Sequence, residues 1–281
     1  MIKKFAGLSL KNKIIMGVLN LSEDTFYKGS LAGSAEEAAA RAEKMVEKGA
    51  QIIDLGGMST GPSSEPISAE EEKNRLLPAV KSVHEKVDVP ISVDTQRAVV
   101  AEESLDLGAS IINDISGFKA DSEMAQVIAD HDCFAIIMAN RISGRIRTAE
   151  KKGKDISNME KIKKGLKESL QICKKQNVDL KKISIDPGIG FGRGAKDDLK
   201  VLANLDELST FRHPICLGVS RKSFIKKTLG LKGPQECLPG SLGVTALAVI
   251  GGTVDIIRTH DPEETSQLVR IIEAVQRAGE T

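Results

Sequence analysis

Short apolar segments alternate with longer helical segments along the whole chain, and this alternation restricts the fold more than any other feature. We predict strands near residues 13–19, 51–56, 90–94, 110–113, 133–138, 182–186, 214–219 and 253–258. Most of these segments are apolar throughout, which is typical of parallel strands buried on both faces of a sheet. The sequence therefore predicts an α/β fold built on a parallel sheet.

The segments between these strands have the periodicity and the end signals of helices. Helices are predicted near residues 35–48, 68–86, 97–107, 120–130, 157–177, 196–208, 240–251 and 262–278, with a shorter one after Arg221. Ser34 with Glu37 is a candidate capping box, and Asp261 followed by Pro262 is typical of a helix start. Strands and helices thus alternate regularly.

Eight strand-helix units in succession favour a closed (β/α)8 TIM barrel. Barrels of this kind run to about 250 residues as one domain, and no linker-like stretch divides the chain, so we expect residues 1–281 to form a single domain. An open doubly wound sheet is the alternative that eight strands also permit. Polar residues follow many strands instead of clustering at one crevice, which favours the barrel.

The composition favours a small-molecule partner. The net charge is +1, which argues against a nucleic acid or a membrane surface as the main partner. The sequence has no apolar run near the roughly 20 residues of a membrane span, and its start is too quickly polar for a signal peptide, so we expect a cytoplasmic protein. Cysteines stand at positions 133, 173, 216 and 237 without Cys-x-x-Cys spacing, and we interpret them as small apolar residues.

Polar side chains follow the predicted strands, and active sites of barrel enzymes lie at the carboxyl ends of the strands. The set comprises Asn20, Asp54, Asp94, Asn113, Asp114, Asp186, Ser220, Arg221, Lys222, Ser223, Arg258, His260 and Asp261. Three of them have simpler interpretations: Asp114 and Asp261 as N-caps of the next helices, and Asp54 as support for the loop after its strand. The glycines at 188–194 lack the spacing of a dinucleotide fingerprint, but they allow a tight turn after Asp186.

The remaining polar set suits a flat, polar ring that carries an anionic group. Asp94, Asp186 and the amide of Asn113 would supply the fixed hydrogen bonds that select a heterocycle such as a pterin or a purine. The groups suited to an anion at the same opening are Arg258, His260, Asn20 and the backbone amides of residues 220–223. Together they predict a pterin diphosphate or a nucleotide diphosphate as substrate.

Seven motifs occur in order along nearly the whole chain. They are Ile15-Met-Gly-Val-Leu-Asn20 with Asp24-Thr-Phe26; Ile53-Asp-Leu-Gly-Gly with Ser59-Thr60; Ser92-Val-Asp-Thr95; Ile112-Asn-Asp-Ile-Ser-Gly117; Asp186-Pro-Gly-Ile-Gly-Phe-Gly192; Gly218-Val-Ser-Arg-Lys-Ser-Phe224; and Arg258-Thr-His-Asp261. Together they resemble the dihydropteroate synthase family. The resemblance implies a pterin-binding barrel of folate biosynthesis, a transferase that condenses 6-hydroxymethyl-7,8-dihydropterin pyrophosphate with the arylamine 4-aminobenzoate and releases pyrophosphate.

The resemblance also implies roles for individual residues. The pterin would be held by Asp94, Asn113, Asp186 and Lys222, and the catalytic roles would fall to Asp94, Asp186 and Lys222. The diphosphate would be held by Asn20, Arg258 and His260, with Mg²⁺ as a cofactor beside Asn20. The arylamine pocket would involve Phe26, Thr60, Phe191 and Ser223. A homodimer formed through the outer helices is a further expectation from the family.

The chain departs from the family pattern in the loops expected to bind the arylamine. Met58-Ser-Thr-Gly61-Pro62 stands where the family has Glu-Ser-Thr-Arg-Pro, and Met138-Ala139 stands where it has Met-His. Residues 141–154 add six basic side chains against one acid. This basic segment is either a solvated loop or a site for a larger acceptor, such as the ribosyl-phosphate arylamine of methanopterin biosynthesis.

Two other functions are compatible with the sequence. Methyl transfer from a methyl-tetrahydropterin to a corrinoid protein also uses a pterin-binding barrel, but it has no need for the groups expected on the phosphate side. A non-catalytic pterin-binding protein is the other alternative, because the arginine that the family has at position 61 is replaced by glycine. Release of pyrophosphate would separate the synthase from both alternatives.

Overall fold

The computed structural model describes residues 2–21, 32–57, 67–140 and 157–279. A short antiparallel hairpin, β1 (Lys4–Phe5) and β2 (Leu8–Ser9), opens the described chain. The parallel strands that follow are β3 (Ile14–Asn20), β4 (Ile52–Gly56), β5 (Ile91–Asp94), β6 (Ile111–Asp114), β7 (Phe134–Met138), β8 (Ile183–Asp186), β9 (Cys216–Gly218) and β10 (Ile256–Thr259). The eight predicted strands are confirmed.

Helices surround the sheet. They are α1 (Ala35–Glu47), α2 (Ala69–Lys86), α3 (Ala98–Asp106), α4 (Met124–Asp130), α5 (Asn158–Lys175), α6 (Ala195–Leu202), α7 (Ser223–Leu229), α8 (Leu238–Ile250) and α9 (Pro262–Gly279). None of the helices in the described part of the chain has the length and apolarity that crossing a bilayer requires.

Two helix boundaries differ from the predicted ones. The helix predicted from residue 120 begins at Met124, because the Asp121 carboxylate accepts the Ala98 N–H at 2.8 Å and so caps the start of α3. The helix predicted to reach residue 208 ends at Leu202, and a separate 3-10 helix, Leu205–Phe211, follows. Local propensity therefore locates the helices, and side-chain contacts decide their ends.

The sheet closes into a barrel. The strands pair in the order β8, β7, β6, β5, β4, β3, β10, β9. Ile185 of β8 then pairs in parallel with Ile215, directly before β9, and its N–H donates to the Pro214 carbonyl at 2.9 Å. This last pairing joins the two ends of the sheet, so the predicted barrel is confirmed and the open doubly wound sheet is excluded.

Alternate residues of each strand point into the barrel or out toward the helices. The outward set, which includes Ile53 and Leu55 of β4, belongs to one buried cluster with helix residues such as Leu76 and Val80. Burial of each such side chain stabilises the fold by about 1.5–3 kcal/mol. The lower interior of the barrel is a second apolar cluster, formed by Phe5, Ile14, Met16, Ile52, Ile111, Ile136, Cys216 and Ile256.

The hairpin β1–β2 is an element that the sequence did not predict. It turns through Ala6 and Gly7, both at positive φ, as the commonest two-residue hairpins do. Alanine is unusual at such a position, and strands of two residues show no periodicity, so no sequence signal marked the turn. The hairpin places Phe5 beneath the barrel, with its ring 5.1 Å from that of Phe134.

The four cysteines are buried and free, which confirms their interpretation as small apolar residues. Burial raises the pKa of the Cys133 thiol to about 12 and that of Cys173 to the same value. Thiols with such pKa values are protonated and unreactive at neutral pH.

Candidate active site

Above the lower apolar cluster the barrel interior becomes polar. The strand register places Asn20 beside Gly56, Gly56 beside Asp94 and Asp94 beside Asn113. We call Asp54, Ser92, Asp94, Asn113, Asp186 and Arg258 the polar layer. Alternation explains half of it, because Asp54, Asn113 and Arg258 stand two positions after Ile52, Ile111 and Ile256 of the lower cluster and point inward as well. The predicted site face at the carboxyl ends of the strands thus exists, with its polar groups inside the barrel.

Arg258 lies at the centre of the polar layer. Its Nε donates to Asp54 Oδ2 at 2.6 Å, and its Nη2 donates to Asp94 Oδ2 at 2.9 Å. Asp54 also accepts the Ser92 hydroxyl at 2.6 Å and the Asn113 amide at 3.4 Å. The interpretation of Asp54 as support for a loop is therefore wrong, since its buried carboxylate bonds Arg258, Ser92 and Asn113 inside the barrel.

The charges of the polar layer shift one another's pKa values. Burial raises the pKa of Asp94 to about 7, and the attraction of Arg258 only partly opposes this. Burial also disfavours the charged form of Arg258, but Asp54 and Asp94 outweigh it and raise the Arg258 pKa above its ordinary value. Asp94 is therefore a carboxyl that can either accept or donate a hydrogen bond near neutral pH.

The glycine-rich turn after β8 connects two of the predicted site residues. The carboxylate of Asp186 accepts the Gly188 N–H at 2.6 Å. The Nζ of Lys222 donates to the carbonyl of Ile189 and lies 4.5 Å from the centre of the Phe191 ring. Gly190 has φ +80°, and a Cβ there would lie 2.7 Å from Cδ of Lys222. Glycine is thus required at position 190 for the lysine to lie against the turn.

Lys222 and Asp186 influence each other across this turn. Burial lowers the pKa of Lys222 to about 8, and the charge of Asp186 opposes the shift. Burial raises the pKa of Asp186, and the charge of Lys222 opposes that shift in turn. The region therefore offers the Lys222 ammonium as a donor near the carboxyl group of Asp186.

The ends of β9 and β10 are joined by buried polar contacts. The Nδ1 atom of His260 lies 3.0 Å from the Ser220 hydroxyl, which also accepts the His260 N–H at 3.2 Å. Burial, followed by the positive charge of Arg258, lowers the pKa of His260 to about 3. His260 is therefore a neutral imidazole in this site.

Arg221 forms a buried ion pair with Asp261. Its Nε lies 2.9 Å from Asp261 Oδ2, and its Nη1 donates to the carbonyls of Pro234 and Gln235 at 3.1 Å each. Asp261 directly precedes α9, and its carbonyl accepts the Thr265 N–H at 3.1 Å as expected of an N-cap residue, but its carboxylate bonds the Arg221 guanidinium and the Ser220 hydroxyl. Arg221 has φ +57°, a conformation that its ion pair holds in place.

Two of the backbone amides expected to bind an anion are already engaged. The Arg221 N–H donates to the Ser241 hydroxyl at 2.9 Å, and the Lys222 N–H donates to the Val219 carbonyl at 3.3 Å. The expectation is therefore wrong for these two amides. Ser223 is exposed and begins α7.

Asp114 does not cap the helix that follows it. Its carboxylate accepts the N–H of Ser116 at 2.6 Å and that of Phe118 at 2.9 Å, well before α4 begins at Met124. Burial raises the pKa of Asp114 to about 6, against the hydrogen bonds from Ser116. The N-cap interpretation is wrong, and the residue instead fixes the turn after β6.

Glu72 is a further buried acid beside the polar layer, and the sequence did not indicate it. Glu72 accepts the Thr95 hydroxyl at 2.7 Å and forms an ion pair with Arg97. The Nη2 of Arg97 also donates to the Ile67 carbonyl at 2.6 Å. Glu72 sits among the charged residues at the start of α2, where the sequence looks like a solvated helix face, so no local signal indicated its burial.

The arylamine side of the site is described only in part. Phe26, Thr60 and the basic segment 141–154 lie outside the described residues. Phe191 and Ser223 lie inside them, with Phe191 against Lys222 as given above. The described groups thus form the side expected to hold the pterin and its diphosphate.

Comparison with known proteins agrees with this geometry. The model of the pterin binding enzyme family matches residues 16–260. The dihydropteroate synthase of Bacillus subtilis is 38% identical over 277 residues, which cover 98% of this chain and 93% of that protein.

Solved structures give the same result. The dihydropteroate synthase of Clostridium difficile, determined in the presence of pteroic acid, is 38% identical to this chain, with a TM-score of 0.84. The match covers 94% of this chain and 97% of the Clostridium difficile chain. The Yersinia pestis enzyme, determined in a sulfonamide complex, is 31% identical to this chain, with a TM-score of 0.89. The match covers 99% of this chain and 100% of the Yersinia pestis chain. The chain therefore belongs to the pterin-binding enzyme family and, within it, to the dihydropteroate synthases.

Proposed function

We propose that the chain joins 6-hydroxymethyl-7,8-dihydropterin pyrophosphate to 4-aminobenzoate and releases pyrophosphate. The observation that carries the proposal is the geometry of the glycine-rich turn, where Asp186 accepts the Gly188 N–H and Lys222 donates to the Ile189 carbonyl, so that a carboxyl and an ammonium are both available to a flat heterocycle. The Clostridium difficile relative was determined with pteroic acid, which contains both halves of such a product. Members of this family are transferases, in agreement with this reaction.

The pterin ring would lie between the polar layer and the glycine-rich turn. Carboxylates of Asp94 and Asp186 suit the ring's N–H groups, while the Asn113 amide and the Lys222 ammonium suit its acceptor atoms. Arg258, held between Asp54 and Asp94, would present its planar guanidinium to the ring. A ring that lacked these polar atoms would leave the buried groups unpaired, and this gives selectivity.

The chemical step exchanges one bond for another. The bond between the pterin methylene carbon and the diphosphate oxygen breaks, and pyrophosphate leaves with the electron pair. Positive charge that develops on the methylene is stabilised by the Asp186 carboxylate and, when ionised, by Asp94. The nitrogen of the arylamine forms the new bond to this carbon and then loses a proton to solvent.

The diphosphate would lie toward Asn20 and His260, at the ends of β3 and β10. Because the Ser220 hydroxyl donates to Asp261, neutral His260 would direct its one ring N–H, at Nδ1, to Ser220. The approach of the anion would raise the pKa of His260 and so favour the imidazolium, which has a second N–H to donate. The described residues contain no cluster of three or more His, Cys, Asp and Glu side chains that could hold a metal by themselves. This fits Mg²⁺, which is bound through few protein oxygens together with substrate phosphates.

Asn20 is the residue that would hold Mg²⁺, through its amide oxygen. When bound, the ion would neutralise charge on the departing pyrophosphate. The Arg258 cation lies close to the same strand ends and would also attract the departing pyrophosphate.

The test is an acceptor screen with purified protein and dihydropterin pyrophosphate, with release of pyrophosphate as the readout. We expect release with 4-aminobenzoate. Release only with larger, phosphorylated arylamines would assign the basic segment 141–154 to the acceptor and correct the proposal. Tight pterin binding without release for any amine would indicate a binding protein instead.

We further propose that the protein forms a homodimer through α8 and α9. These helices pack against each other and expose Leu247, Ile250, Ile271 and Val275, each at least 60% exposed. Monomeric proteins rarely expose contiguous apolar surface of this kind, and two-fold dimers are the commonest assemblies.

The double variant with Leu247→Glu and Val275→Glu should be a monomer. The two charges would be costly to bury in the proposed interface, whereas they are harmless on an exposed surface. Light scattering during gel filtration would then give a mass near 30.1 kDa instead of twice that value. Val99→Glu, on the exposed side of α3, is the control, and a dimer for the double variant would contradict the proposed interface.

We place the reaction in the cytoplasm. The four cysteines are all free, as is usual in reducing compartments. Fractionation of cells that produce the protein would test this placement.

A further inference from the structure

The glycine-rich turn after β8 is held by a buried ion pair that the reaction itself does not use. Asp198 of α6 is 1% exposed, and its Oδ1 accepts from the Nε of Arg193 at 3.0 Å. Its other oxygen, Oδ2, accepts the backbone N–H of Gly190 at 3.1 Å. The Nη2 of Arg193 donates to the carbonyls of Pro187, at 3.1 Å, and Gly188.

The turn needs such support from outside. Gly188, Gly190 and Gly192 all have positive φ, between +68° and +80°. Glycine loses more conformational freedom on ordering than any other residue, so a turn with three glycines is not rigid by itself. Arg193 bonds the start of the turn, at Pro187 and Gly188, and Asp198 bonds its middle, at Gly190, so together they restrict its conformation.

The negative charge of the buried Asp198 carboxylate is stabilised by its surroundings. Asp198 lies in the first turn of α6, where the helix dipole favours a negative charge, and Arg193 supplies a cation. Removal of the carboxylate would leave the Gly190 N–H and the Arg193 guanidinium without these acceptors. The turn would then be free to shift.

The same turn carries the groups that place the two reactive side chains. The Ile189 carbonyl accepts from Lys222, the Phe191 ring lies against the lysine, and the Gly188 N–H donates to Asp186. A displacement of the turn would therefore move the ammonium and the carboxylate relative to each other. Displacements of about 1 Å are known to cost two orders of magnitude in rate.

We propose that Asp198 and Arg193 are positioning residues for the pterin. They hold the glycine-rich turn so that Lys222 and Asp186 face the same ring, and they act through the turn without touching the substrate. This inference rests on the proposed function, because it concerns the binding of the dihydropterin pyrophosphate. Arg193 is thus assigned to the support of the turn.

Asp198→Ala tests the inference, with Asp197→Ala as a matched control. Both substitutions remove one acid from the first turn of α6, so their effects on helix dipole and net charge are alike. Asp198→Ala should weaken binding of the dihydropterin pyrophosphate, measured by calorimetry, by about tenfold or more, which corresponds to the loss of charge-assisted hydrogen bonds. Asp197→Ala should bind like the wild type.

Two further readouts separate positioning from general destabilisation. The KM for the pterin diphosphate should rise in Asp198→Ala, while the KM for the arylamine stays within a factor of about two, as expected for an interaction on one substrate's side. Asp198→Asn should recover much of the affinity, since an amide oxygen can still accept the Gly190 N–H. If the alanine variant does not fold, Arg193→Met serves instead, because that side chain is partly exposed.

The outcomes are distinct. Unchanged pterin affinity in folded Asp198→Ala, or in Arg193→Met, would overturn the inference alone. An equal rise of both KM values would overturn it as well, because it would indicate a general loss of structure. Failure of the wild-type protein to bind dihydropterin pyrophosphate would overturn the proposed function, and the inference with it.

Discussion

Replacement of Lys222 by alanine is expected to weaken the binding of dihydropterin pyrophosphate by about 100-fold. The ammonium is held at the glycine-rich turn by the Ile189 carbonyl and the Phe191 ring, and it would be lost together with its bond to the pterin. Its charge also lowers the pKa of Asp186, so in the variant that carboxyl would be protonated over a wider pH range. Titration calorimetry with the pterin diphosphate measures the effect.

The wild-type protein supplies a second test of the same residue. The pKa of Lys222 is about 8, and the ammonium is the donor, so affinity should fall as the pH rises above about 8. Alanine at position 222 should remove this alkaline loss, whereas Lys227→Ala, on the exposed side of α7, should preserve it. Normal affinity in Lys222→Ala would show that the lysine does not bind the pterin.

Arg258→Leu should have the largest effect on stability. It leaves the carboxylates of Asp54 and Asp94 buried without the cation that each of them contacts. Removal of one partner from a buried ion pair costs about 3–5 kcal/mol of unfolding free energy. Urea denaturation at pH 8 should show a loss of this order, and the exposed Arg277→Leu should show almost none.

The loss of unfolding free energy in Arg258→Leu should become smaller as the pH falls. Arg258 lowers the pKa of Asp94, so without it that pKa rises above its present value of about 7. Over a range of pH, native Asp94 would then bind a proton that unfolded Asp, with a pKa near 3.8, does not bind. The unfolding free energy of the variant therefore increases as the pH falls through this range. The difference from the wild type should therefore shrink as the pH falls toward about 7 and stay constant below that, where both native proteins bind the proton; a difference that does not change above pH 7 would contradict the assignment.

Periodicity sufficed for most of the fold. The eight strands and their helices follow from runs such as Ile52-Ile53 and from end signals such as Ser34 at the start of α1. Closure into a barrel depends on pairing between Ile185 and Ile215, which no local pattern encodes. The strands of the hairpin around Ala6 are only two residues long, which is too short for a periodic pattern to be visible.

The candidate site was predictable in position but not in detail. Strand ends identify Asp94, Asn113 and Asp186, because all barrel strands present their carboxyl ends on one face. The partner of Asp54 is Arg258, 204 residues away in the sequence, and only the fold brings them together. A signal did exist, since Asp54 stands two residues after the inward-facing Ile52 and must share its direction.

Asp114 and Asp261 show why carboxylates after strands are ambiguous. The same residue type at the same kind of position can cap a helix, fix a turn or pair with an arginine. Asp261 pairs with Arg221, forty residues earlier, and Asp114 bonds two amides of its own turn. The choice among these depends on which donors the fold brings near, so it cannot be made from the sequence around each acid.

The hairpin β1–β2 has a kinetic consequence. Phe5 and the apolar side chains above it fill the amino-terminal end of the described barrel, so ligands of the polar layer must pass through the opposite end. Both substrates and both products would therefore share one passage. A pterin at the polar layer would lie deeper than an amine at Ser223, so we expect the pterin to bind first and the amine second. Steady-state kinetics should then show a compulsory order.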